Sequence, residues 1–132
     1  MRPLLLIAAG LWLPLPALAG PAFDLSAHYK PRTELVAGYY ACRSGLDFNT
    51  FTFTFDLQAN GHYKTRGKVG EGQLVLSARD GTIDFKSGPF TSDKTARTYA
   101  RNTTRVSDGK PVIIIRYDFG KTVTDDYCAW VR

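Results

Sequence analysis

The stretch from Phe51 to Val69 constrains this chain more than any other. Phe51, Phe53, Phe55 and Leu57 alternate with Thr52, Thr54, Asp56 and Gln58, which is the period of a strand with one dry face and one wet face. Asn60-Gly61 then turns the chain back. A two-residue turn would set Leu57 opposite Lys64. A three-residue loop from Ala59 to Gly61, with Gly61 left-handed at the bulge, sets Leu57 opposite Tyr63 and Phe51 opposite Val69. The second register is the expected one, because it also places Asp56 across from Lys64 and Thr54 across from Arg66, so apolar pairing inside agrees with polar pairing outside.

Ahead of this hairpin, Met1-Arg2-Pro3, the apolar run Leu4 to Leu13 and Ala17-Leu18-Ala19 before Gly20 have the form of a secretory signal peptide cleaved after Ala19. Pro14 and Pro16 interrupt the run, which leaves too few apolar residues to cross a bilayer of about 30 Å. No membrane span is expected after cleavage, and the protein is placed in the periplasm or outside the cell. Removing 19 of 132 residues leaves 113, enough for one domain: an N-terminal segment, 20–34, and a β domain, 35–132. An exported chain meets an oxidising compartment, so Cys42 and Cys128, the only cysteines, are expected to form a disulfide. Two cysteines cannot build a structural zinc site, and no C-x-x-C spacing suggests redox work. No metal or cofactor is expected.

Further strands follow in order. Leu35 to Arg43 is the first, and Gln73 to Ala78 with Thr82 to Lys86 form a second hairpin about Asp80-Gly81. A two-residue turn there sets Ala78 against Ile83 and Leu76 against Phe85. Ser87 to Ala96 is rich in Gly, Pro, Ser and Asp and is expected to be a mobile loop. Arg97 to Val106 has charges at every fourth residue, as a helix would, but its threonines favour a strand. Val112-Ile113-Ile114-Ile115 reads as a buried strand, and Thr122 to Val131 as the last. The expectation is an all-β, single antiparallel up-and-down barrel of about eight strands. Its closure would bring the first and last strands together, with Cys42 facing Cys128 and Tyr40 facing Trp130. The disulfide would then fasten the seam.

Gly38-Tyr39-Tyr40-Ala41-Cys42 in the first strand and Asn60-Gly61-His62-Tyr63 at the hairpin resemble the starts and turns of the lipocalin-like, or calycin, group of small secreted barrels. Tyr40 stands where that family usually has tryptophan. The resemblance implies that a basic residue near the last strand, Arg132 here, packs over that ring. It also implies ligand binding by analogy of fold.

Sixteen aromatics remain once Trp12 is removed with the leader. Tyr40, Phe53, Phe55 and Tyr63, on inward faces, either line a cavity for a small apolar ligand or fill a small barrel to normal density. Lys64, Arg66 and Lys68 point the same way and form an outward basic row, which with Arg97, Arg101 and Arg105 suits an anionic glycan or an acidic partner protein, or is simply wet surface. The mature net charge of about +4 favours such partners mildly. Nucleic acid is not expected, since stacking aromatics are not interleaved with the basic row. For enzyme chemistry there are only His28, His62 and the acids Asp118, Asp125 and Asp126, and no nucleophile, metalloprotease or phosphate-loop motif. Adjacent Asp125 and Asp126 point to opposite faces of a strand. No catalytic residue is assigned. Asn102-Thr103-Thr104 is a glycosylation sequon only in a eukaryotic cell. The leading expectation is an exported, monomeric, non-enzymatic binding protein for a small apolar ligand or a cell-envelope component. The alternative is a small secreted inhibitor of a lysozyme- or protease-type hydrolase, acting through a surface loop. A cavity favours the first, and a packed interior with a stiff protruding loop favours the second.

Overall fold

The structure, a computed structural model, describes residues 25–66, 70–92 and 95–132. The expected signal peptide, Lys68 and Val69 lie outside these residues. Nine strands are present: β1 (Tyr29–Pro31), β2 (Gly38–Ser44), β3 (Phe51–Leu57), β4 (His62–Thr65), β5 (Gly70–Leu76), β6 (Thr82–Phe85), β7 (Arg97–Arg105), β8 (Pro111–Asp118) and β9 (Val123–Trp130), with one helical turn, α1 (Pro89–Ser92), between β6 and β7. From β2 to β9 each strand pairs antiparallel with the next, and β9 returns to β2, so eight strands close into an up-and-down barrel. The ninth, β1, extends the edge of β7 beyond the end of β6, pairing Tyr29 with Arg105 and Pro31 with Thr103.

The seam is the expected one. Cys42 lies opposite Cys128 and Tyr40 opposite Trp130, and the two sulfurs are bonded in the fully buried core. Closure joins β2 to β9, so the two outermost strands of the eight-stranded sheet pair with each other.

The β3–β4 hairpin adopts the three-residue loop. Leu57 faces Tyr63, Asp56 faces Lys64, and Arg66 donates its amide to the Thr54 carbonyl. Gly61 has the left-handed backbone, φ 88°, that the loop requires. Phe51 departs from the expectation. Between Cys42 and Arg43 the β2–β3 register skips Thr52, so that Arg43 faces Phe51. This bulge turns Phe51 onto the outer face, where it is 55% exposed, because one extra residue reverses every side chain before it.

The β5–β6 hairpin also differs. Leu76 faces Ile83 and Leu74 faces Phe85, a shift of two residues on β5 that keeps the faces but lengthens the turn. Four residues, Ala78 to Gly81, lie between Ser77 and Thr82, closed by Ser77 N to Thr82 O and Gly81 N to Ser77 O. Asp80 makes the longer turn worthwhile, since its Oδ1 accepts the Thr82 amide at 3.0 Å.

Strand β7 is a strand, not a helix. Its arginines at 97, 101 and 105 share the outer face because even spacing preserves the face of a strand. The run Val112 to Ile115 is buried on both sides. Ile113 and Ile115 join the barrel interior, while Val112 and Ile114 face outward and are covered by Leu25, Tyr29, Tyr99 and Tyr127. The N-terminal segment thus lies along the outer wall before crossing the barrel end at Leu35, which packs on the inner core. Asn102, fully buried on the inner face of β7, ties it there: Nδ2 donates to the carbonyls of Arg32 at 3.0 Å and Glu34 at 2.7 Å. A side chain so enclosed is closed to glycosylation in the folded protein.

Two outcomes test this fold. Replacing Cys42 and Cys128 together by alanine is expected to lower unfolding free energy by about 4–5 kcal/mol, the chain-entropy value for a loop closed across 86 residues, read from the urea midpoint. Asn102→Ala, which leaves two carbonyls without their donor, is expected to cost about 2 kcal/mol in the same assay.

Candidate functional site

The barrel interior is filled by rings. Tyr40, Phe53, Phe55 and Tyr63 are 0 to 7% exposed. Tyr40 stacks on Phe55 with centroids 5.1 Å apart and planes 4° from parallel. Phe55 meets Phe53 at 6.2 Å, and Phe53 meets Phe90 at 5.5 Å. Phe90 in turn lies 5.3 Å from Tyr63 and 4.7 Å from Phe85. This column runs from the end crossed by Leu35 to the opposite end, and the four residues singled out from the sequence are brought together in it. Their polar tips are satisfied: the Tyr40 hydroxyl donates to Val36 O at 2.5 Å and the Tyr63 hydroxyl to Ser87 O at 2.7 Å.

Phe90 is the ring that alternation could not find, since it sits in a turn. Within the Ser87 to Ala96 segment, expected to be a mobile loop, the described residues include the turn α1 (Pro89–Ser92), which inserts Phe90 as a plug. The Phe90 amide donates to the Tyr63 hydroxyl at 3.4 Å. An apolar residue beside proline in an otherwise polar loop was the only signal in the sequence.

The outer wall carries alternating charge. Lys64 is flanked across strands by Asp56 and Glu71. Arg66 pairs with Asp56 at 3.3 Å and lies 5.0 Å over the Tyr39 ring. Arg132 stacks on Tyr39 as well, at 5.1 Å, so it covers the outward ring of β2 and not Tyr40. The β7 arginines stand three strands from β4 and form a separate group. Arg105 holds Asp108 at 2.6 Å and keeps its carboxyl down at about 2, Arg101 donates to Asp80 O, and Arg97 faces Asp118.

The candidate acids and bases are dispersed. His62 pairs with Glu71 at 3.3 Å, while His28 is exposed in the N-terminal segment. Asp125 faces outward in a two-pronged pair with Arg116, at 2.7 and 2.9 Å. Asp126 faces inward, buried beside Tyr117. Strands β4 and β8 are four apart in either direction around the ring, so His62 and Asp118 occupy opposite walls. Among the described residues no cluster of three or more His, Cys, Asp or Glu side chains is placed to hold a metal ion.

The β2–β3 loop, residues 45–50, protrudes from the barrel end and is braced by hydrogen bonds. The Gly45 amide donates to Asp125 O at 2.7 Å, and Ser44 N to Thr50 O at 2.9 Å. Asp47 organises the apex, its Oδ1 accepting Asn49 N at 2.9 Å and its Oδ2 accepting the Thr50 hydroxyl at 3.1 Å. Arg43 reaches Asn49 O, and the Phe48 ring rests edge-on against Tyr127 at 5.2 Å. Gly45 has to be glycine, because a Cβ there would stand 2.8 Å from the Tyr127 ring and 2.9 Å from Asp125 O. These bonds leave Leu46 85% exposed at the tip. Phe51, Phe119 and Val123, also exposed, rim the same barrel end on neighbouring strands and the β8–β9 turn.

Comparison with known proteins finds no matching family model, no matching curated protein and no matching solved structure.

Burial pushes the Tyr40 and Tyr117 hydroxyls far above their ordinary 10.0, with Asp126 adding to the shift at Tyr117. In the unfolded chain both ionise near 10.0, so above that pH the folded state holds more protons than the unfolded one, and stability falls as pH rises. Urea midpoints are expected to decline above about pH 10, with the tyrosinate absorbance of these two residues appearing only on unfolding.

Proposed function

We propose that this protein is an exported, non-enzymatic binding protein with lipocalin-like architecture that grips a protein partner from outside the barrel, in the manner of a hydrolase inhibitor, through loop 45–50. Export is supported by the leader pattern of residues 1–19 and by a disulfide, which needs an oxidising compartment to persist. The observation that carries the reading is Leu46. A branched apolar side chain held fully in water by a bonded loop costs little entropy to insert into a partner's apolar cleft. Phe51, Phe119 and Val123 expose further apolar surface at the same barrel end.

A small apolar ligand inside the barrel is the less supported reading. It would have to part Tyr40 from Phe55 and displace Phe90, and an eight-stranded barrel is just wide enough for side chains to fill it. Broad anion binding is likewise less supported, since Lys64 and Arg66 stand among Asp56 and Glu71.

Native mass spectrometry of the protein purified from its own host tests the proposal. A co-purifying protein is the expected result. A bound small molecule, or nothing, would count against it. Leu46→Asp is expected to weaken the recovered complex by at least about 2 kcal/mol, a hot-spot loss, with the urea midpoint unchanged. Gly45→Ala is expected to weaken it too while leaving Leu46 in place, because the added methyl group displaces the loop from Tyr127.

A further inference from the structure

Strand β5 has one edge that the barrel does not cover. Its odd residues pair with β6, as in Lys86 N to Gln73 O and Ser77 N to Thr82 O. Its even residues face β4, which ends too soon. The last bond there is Leu74 N to Gly61 O at 2.9 Å. Gly61 then turns its own amide to Gln58 O, leaving the Leu74 carbonyl with only a long, 3.4 Å contact from Gln73 Nε2. Beyond it, the Leu76 amide and carbonyl point toward the β4 side and have no partner among the described residues.

This edge is one wall of a cleft of about 420 Å³, within the range of about 300–1,000 Å³ typical of ligand sites. The opposite wall is Thr33, Glu34 and Leu35, held in place by Asn102 through the Arg32 and Glu34 carbonyls. Leu35, Leu74 and Leu76 supply apolar floor, and Asn60 and Gln73 polar rim. Glu34 is the one charged side chain in the lining, exposed and without an ion pair among the described residues.

We propose that this cleft binds an extended, basic peptide segment as an added strand on the open edge of β5. Unpaired strand backbone is best satisfied by another backbone, which a purely apolar ligand does not offer. The leucines accept alternate side chains of that strand, and Glu34 selects a lysine or arginine. The protein's net positive charge does not oppose this, because screening confines charge effects to about 8 Å at physiological salt. The cleft lies at the opposite end of the barrel from Leu46, so the inference stands independently of the loop reading.

The test is amide hydrogen exchange and nitrogen-15 NMR on the intact mature protein, with a blocked hexapeptide of alternating lysine and valine as probe. Saturating peptide is expected to slow exchange of the Leu76 amide by about tenfold or more, the protection of a formed ladder bond. A version N-methylated at alternate amides is expected not to bind, and a glutamate-for-lysine version to bind more weakly. Glu34→Gln is expected to weaken the lysine peptide about threefold, the worth of an exposed ion pair, without changing the fold. Leu76→Pro, which removes the edge donor, is expected to abolish binding; if it does not fold, the N-methylated peptide answers the same question. No protection at Leu76 with millimolar peptide would overturn the proposal, as would equal binding of the N-methylated peptide or shifts confined to loop 45–50. Protection that rises with protein concentration alone would overturn it in favour of pairing between two copies of this chain.

Discussion

The stacking of Tyr40 on Phe55, continued through Phe53 to Phe90, is the contact on which the rest of the molecule depends. A barrel of eight strands has an interior about as wide as its own inward side chains, and here large aromatic rings occupy it. Each buried ring contributes about 1.5–3 kcal/mol relative to exposure, and several share faces and edges along one axis. Because the column is continuous, the interior is a core. A molecule entering the barrel would have to displace these rings.

The ends of the barrel are finished by different means. One is plugged by Phe90, which the Tyr63 hydroxyl holds by accepting its amide. The other is crossed by the chain leading into β2, with Leu35 laid on the core and its carbonyls tied to Asn102. A single asparagine thus connects the inner wall to the covering segment. The outer wall of β7, β8 and β9 is covered in turn by Leu25 and Tyr29. That cover explains why β8 is apolar on both faces, a pattern unusual for a strand of a small barrel with water outside.

Charge on the outside is arranged in pairs. Asp56, Lys64 and Glu71 alternate across β3, β4 and β5, and Arg116 grips Asp125 on the far wall. Such exposed pairs add little stability. They do, however, divide the surface into small fields of mixed sign, so local features such as Leu46 or Glu34 distinguish one patch from another better than net charge does.

Much of this was legible in the chain before any coordinates. Alternation in Phe51 to Leu57, the Asn60-Gly61 turn and two cysteines in the terminal strands determined the all-β class, the first hairpin register and the seam, because strand period and turn chemistry are local. The aromatic residues of the interior were legible for the same reason. Tertiary structure alone decided what those local rules leave open. Whether the rings line a space or close it depends on Phe90 arriving from a loop. Phe51 faces water because a bulge at Thr52 reverses the pleat, and β5 keeps an open edge because β4 begins only at His62. Each of these outcomes is set by how distant segments fit together in space, and no periodicity within a segment records that.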